Sequence, residues 1–119
     1  MKDRFDHMYD RQADHWYKEA PTYAVQDPDQ VHSTICLCLV KEVAEVLDCI
    51  NWKLHDRKTR GVQVSRAKLL EELVDVQKYL LILMVHHKIL PTEFVKAFDD
   101  KSDIVETRAS FERACREEQ

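Results

Sequence analysis

Residues 65–87 read SRAKLLEELVDVQKYLLILMVHH, and this stretch decides the fold. From Leu69 to Val85 its apolar side chains point in almost every direction around a helix of 3.6 residues per turn. A helix that is apolar all round must be enclosed by other elements. Ser65 stands where an N-cap is expected, and His86 and His87 place basic groups at the negative pole of the helix dipole.

The covers for this helix come from the sequence on either side. Upstream, Ile35, Leu39, Val43, Val46 and Ile50 form one stripe of a helix expected over 30–54, with His32 near its start on the apolar side, where core packing is expected. Downstream, Pro91 and Thr92 restart the chain into a helix over 92–115 carrying Phe94, Val95, Phe98, Ile104 and Phe111, with room for a break at Asp99 and Asp100. At the start, Phe5, Met8, Tyr9, Gln12 and Trp16 recur at spacings of three and four in a helix over 1–19. The connection APTYAVQDPDQ (20–30) ends near an expected Asp29 cap, and the segment HDRKTRGVQV (55–64) reads as a basic loop. No stretch alternates as a strand does. The reading is a single all-α, four-helix-bundle-like domain over 1–119.

The three other helices shield roughly two thirds of the central helix by bundle geometry. The uncovered stripe predicts a homo-oligomer, a two-fold homodimer first, because pairing like stripes buries them without another gene product.

Composition narrows the function. With one glycine and three prolines in 119 residues, Gly-rich phosphate loops and dinucleotide-binding turns are excluded. A net charge of −4 argues against gripping duplex nucleic acid. The opening MKDRFDHMYD has no apolar signal core and no run approaches a membrane span, so a cytoplasmic protein with no membrane partner is expected. Cys36, Cys38, Cys49 and Cys115 lack metal-type or disulfide-scaffold spacing and read as reduced, packed thiols; Cys38 and Cys49 lie near the direction of Glu42 and Glu45 and are expected to line the same cavity.

Two pairs of acids carry the chemistry. Glu42 and Glu45 lie one turn apart beside the apolar stripe of their helix, and Glu72 and Asp75 repeat that spacing on the helix that is apolar nearly all round. A reversing loop folds the two helices back antiparallel, which brings the pairs together. Facing carboxylates repel in a low dielectric unless a divalent cation, a basic partner or protons intervene. An all-carboxylate set suits Mg²⁺, with Mn²⁺ as a substitute, since hard ions prefer oxygen and keep waters for a phosphate-bearing substrate.

The text LVKEVAEVLDCINWK, followed by LLEELVDVQKYLLIL with 26 residues between Glu45 and Glu72, resembles the Glu-x-x-Glu and Glu-x-x-Asp signature of the all-α nucleoside triphosphate pyrophosphatases. That superfamily includes MazG-like proteins, dimeric dUTPases and phosphoribosyl-ATP pyrophosphohydrolases. The resemblance covers roughly residues 31–108, and Asn51-Trp52-Lys53 is most similar to the dimeric dUTPase branch. It implies cleavage of a nucleoside triphosphate, dUTP or a non-standard deoxynucleotide among the options, to a monophosphate and pyrophosphate, with Mg²⁺ held by Glu42, Glu45, Glu72 and Asp75. One acid would orient or deprotonate the attacking water. Glu45 is our choice because it lies farther round from the apolar stripe than Glu42. The family's Lys-x-x-x-Asn-x-x-Arg motif would fall on KSDIVETR, which keeps Lys101 and Arg108 for the phosphates but has Val105 in place of the asparagine. Lys53 is a further phosphate candidate, and Trp52, within about 20° of Glu45 by helical rotation, is placed to stack on a base. The rival reading is a non-catalytic helical protein that binds a partner through its first and last helices and keeps the acids as a surface network.

Overall fold

The computed structural model describes residues 3–23, 27–49 and 65–118. Among them the chain is all-α, with four helices and no strand: α1 (Arg4–Tyr23), α2 (Pro28–Asp48), α3 (Arg66–His86) and α4 (Pro91–Glu117). No helix among the described residues is long and apolar enough to cross a membrane.

Local chemistry moves several boundaries. α1 continues through Pro21 to Tyr23, past the expected end at residue 19. α2 starts two residues before residue 30 because Asp27, not Asp29, is its cap: Asp27 accepts the Asp29 N–H at 3.0 Å, and Pro28 occupies the first helical position, where a missing N–H costs nothing. Ser65 caps α3 as expected, accepting from the Lys68 N–H at 3.3 Å. α4 is unbroken at Asp99 and Asp100. Lys96 reaches forward to Asp100 at 2.7 Å and the Ser102 hydroxyl donates to the Phe98 carbonyl, so both side chains bond within the helix. The expected α2 residues 50–54, including Trp52 and Lys53, and the basic loop 55–64 lie outside the described residues.

The chain forms two compact units, Met1–Lys88 and Ile89–Gln119. The first is built on α3, with α2 along one side and α1 along another. α2 and α3 run antiparallel, since His32 at the start of α2 meets His87 just past the end of α3, while Glu42 and Glu45 meet Glu72 near its start. The core lies toward the His32 end: Val31, Ile35 and Ile82 are buried together, with Trp16, Tyr79 and Leu83 packed against them. Leu81, Met84 and Val85 are buried there too. The other half of α3 is less covered, with Leu70 63% exposed and Leu73, Val74 and Leu80 exposed beside it; α2 likewise leaves Leu37 70% exposed. The second unit is α4, whose entry is fixed by Pro91 and by the Glu93 carboxylate accepting the Leu90 N–H at 3.3 Å. α4 contributes no buried residue.

Candidate metal centre

Three of the four predicted acids meet directly. One carboxylate oxygen from each of Glu42, Glu45 and Glu72 lies within 4.8 Å of the others, and all three side chains are half-buried. The spacing explains the meeting: residues three apart on α2 share one side of the helix, and antiparallel pairing sets the start of α3 against it. Asp75, one turn beyond Glu72, is close enough for its charge to act on both Glu42 and Glu72.

The cluster lacks proton donors of its own. Glu42 Oε2 and Glu72 Oε2 are shielded from solvent with no hydrogen-bond partner. Among the described residues Lys41 pairs with this group, 3.9 Å from Glu45 Oε1 and itself largely solvated, a surface pair of small worth. Burial is the first cause holding the Glu42 and Glu72 carboxyls above the ordinary glutamate value of 4.5; the hydrogen bond each makes to Glu45 when protonated comes next, followed by the charges of Glu45 and Asp75. Glu45 is thus the acid that acts on both of its neighbours.

Lys101 and Arg108 lie seven residues apart on the unbroken α4, in the second unit. Trp52 and Lys53 are outside the described residues. His32 is exposed, not packed in the core: an imidazole cannot bury both ring nitrogens among apolar side chains, and this one bonds His87 instead. The four cysteines are free, three half-buried and Cys115 exposed. Cys38 lines a cavity of about 380 Å³ with Trp16, Ile35, Tyr79 and Ile82, away from the acids it was expected to accompany.

Gln12 was not among the sequence candidates. It is only 7% exposed, yet its carboxamide makes no hydrogen bond to another described residue. It borders a groove of about 440 Å³ between α1 and α3, rimmed by His7, Arg11, His15 and Lys78. The signal was present in the text: a polar residue standing within the apolar stripe Phe5, Met8, Tyr9, Trp16 needs a reason to be there. No protein-family model, no curated protein and no solved structure matches this chain.

Proposed function

We propose that the protein is a Mg²⁺-dependent nucleoside triphosphate pyrophosphohydrolase, acting as a homodimer. The observation that carries the reading is the pair of solvent-shielded, unpartnered carboxylate oxygens of Glu42 and Glu72 beside Glu45 and Asp75. Such a set fits a divalent ion: it offers only oxygen ligands, and among the described residues the ion pair it makes is the solvated one between Lys41 and Glu45. Glu42, Glu45, Glu72 and Asp75 would hold Mg²⁺, which when bound neutralises the triphosphate and polarises a phosphoryl oxygen. The chain's own share is to orient the substrate and handle a proton. Glu45, whose carboxylate lies within 4.8 Å of those of both Glu42 and Glu72, would accept the proton of the attacking water. Gln12 offers a donor and an acceptor side by side, the complement of a nucleobase edge, and Arg11 and Lys78 on the same groove favour an anionic ligand. Lys101 and Arg108 would contact the outer phosphates. The exposed leucines and valines of α2 and α3 support association of two copies.

The same exposed residues, with Phe94, Phe98 and Phe111 of α4, favour a second reading, a helical protein that docks on a partner. One assay separates the two. Pure protein is incubated with a panel of deoxynucleoside triphosphates and Mg²⁺ while pyrophosphate and orthophosphate are both measured. Pyrophosphate release from at least one triphosphate supports the enzyme; no release from any of them supports the docking protein. Light scattering after size exclusion checks for a species of two chain masses.

A further inference from the structure

At the end of the α2–α3 pair opposite the acids, three side chains are joined in a line. His32 and Cys36 stand four residues apart on α2 and therefore share a face, and Cys36 Sγ lies 3.7 Å from His32 Nε2. The other nitrogen of the same ring, Nδ1, lies 2.7 Å from His87 Nε2, at the cap of α3. Of the two placements of hydrogens that satisfy both contacts, one has the thiol donate to Nε2 and the Nδ1–H donate to His87. His86 stands edge-on to His87 at 5.0 Å, and Trp16 stands edge-on to His86 at 6.4 Å.

The use of opposite ring nitrogens distinguishes between functions. Chelation of one ion requires ligand atoms that converge on a point, and a ring flanked on opposite edges does not provide that. A base set between a nucleophile and an orienting group requires just such a line. We propose that Cys36, His32 and His87 form a thiol–imidazole–imidazole relay that makes Cys36 a nucleophile toward low-molecular-weight disulfides. The Sγ proton moves to His32 Nε2, and the resulting imidazolium is steadied by its Nδ1–H bond to His87. The thiolate attacks one sulfur of the disulfide, forming a new S–S bond. The old S–S bond breaks with its electron pair on the departing thiolate, which takes the proton from His32 Nε2. A thiol and a disulfide give a mixed disulfide and a new thiol, so no further oxidant enters. Half-buried Cys36 and exposed His32 leave the sulfur within reach of a small solute.

The test uses the full chain with excess glutathione disulfide in the presence of EDTA, quenched at intervals, with each cysteine quantified by peptide mass spectrometry. Exposure alone ranks Cys115 first. The relay ranks Cys36 first, at least about ten-fold faster, because activation of the thiol outweighs access. His32→Gln slows Cys36 about a hundred-fold, the lower range for a lost general base, and leaves the Cys115 rate unchanged as an internal control. His87→Leu slows it less, and His87→Gln, whose carboxamide oxygen accepts the same hydrogen bond, restores most of the rate. Cys115 matching or outpacing Cys36 in the wild-type chain overturns the proposal, a comparison that no misfolded variant can confuse. An unchanged Cys36 rate in His32→Gln, or in His87→Leu, overturns it equally.

Discussion

The two ends of the α2–α3 pair are made from the same helices and reach opposite electrostatic solutions. At one end His32, Cys36 and His87 each offer both donor and acceptor capacity, and they satisfy one another in a chain. At the other, Glu42, Glu45, Glu72 and Asp75 are acceptors only once ionised, and burial with the neighbouring acids holds the Glu42 and Glu72 carboxyls above the ordinary value of 4.5. The core residues Val31, Ile35 and Ile82 lie toward the histidine end. The contrast separates an end whose polar groups pair with one another from an end where, among the described residues, the Glu42 and Glu72 Oε2 atoms have no hydrogen-bond partner.

The largest expected effect comes from removing charge at the acid end. Glu42→Gln and Glu72→Gln keep the shape of the side chain and can still hydrogen-bond Glu45, but each removes a ligand charge. Turnover of the preferred triphosphate should fall by at least about a hundred-fold, since even disturbing groups behind a metal's ligands costs about 10–100-fold. The metal-free variants should melt at or above the wild-type temperature, because repulsion is relieved. Wild-type turnover in both variants, or full wild-type activity in EDTA, would break the comparison at its centre.

Next in size is the response to pH and metal. With their protonation raised above 4.5, Glu42 and Glu72 hold protons in the folded chain at a pH where the unfolded chain has released them. The folded state then binds more protons, so stability from these groups is present at and below pH 4.5 and is lost as pH climbs through their raised values. Thermal melts in EDTA should therefore show this loss on going from pH 5 to pH 8. Mg²⁺ should add little at pH 5, where protons compete, and more at pH 8, about 2.7 kcal/mol at a hundred times its dissociation constant. Glu42→Gln/Glu72→Gln should flatten both responses. A metal-independent pH profile would mean that the acids are a solvated network and no more.

The acid end was legible in the sequence because its rule is local: a three-residue spacing fixes a shared face, and the antiparallel pairing of α2 and α3 sets Glu42 and Glu45 against Glu72. The all-α class was legible for the same reason, from the apolar periodicity of residues 65–87. The histidine end was not. His32 and His87 are 55 residues apart, and the stripe that surrounds His32 reads equally well as core. Asp27 caps α2 in place of Asp29 because Pro28 takes the first helical position, a signal that the order Asp27-Pro28-Asp29 already carried. Gln12 was visible as an irregularity in an apolar stripe, but its groove exists only after α1 packs on α3.

A smaller effect is expected from substrate contacts away from the acids. Gln12→Leu fills the same space without donor or acceptor and should raise KM about ten-fold, the loss of one or two neutral hydrogen bonds, with kcat changed less. Lys101→Ala/Arg108→Ala should raise KM for triphosphates by about ten-fold or more, in line with charge-assisted contacts to phosphate, while leaving the EDTA melt unchanged. Steady-state kinetics on the best substrate checks both. Unchanged constants in the Lys101/Arg108 double variant would assign α4 to association alone.

The smallest effect tests the histidine end by itself. Lys88 follows His87 with φ of 57°, the left-handed conformation in which α3 terminates, and its N–H donates to the Val85 carbonyl at 3.1 Å. A side chain costs about 1–2 kcal/mol in that region, and glycine removes the cost while keeping the N–H; its greater freedom in the unfolded chain returns part of the gain. Lys88→Gly should therefore stabilise the protein by about 1 kcal/mol or somewhat less, a rise of roughly 4–8 °C per kcal/mol for a domain of this size. The shift should be the same in EDTA and in Mg²⁺, and the same at pH 5 and pH 8, because it acts on the end of the helix pair opposite the acids. A gain that appears only with Mg²⁺ would show the two ends to be coupled through α3. No gain, or a loss, would mean that Lys88 is not held left-handed in solution, and the turn that presents His87 to His32 would then be looser than the relay requires.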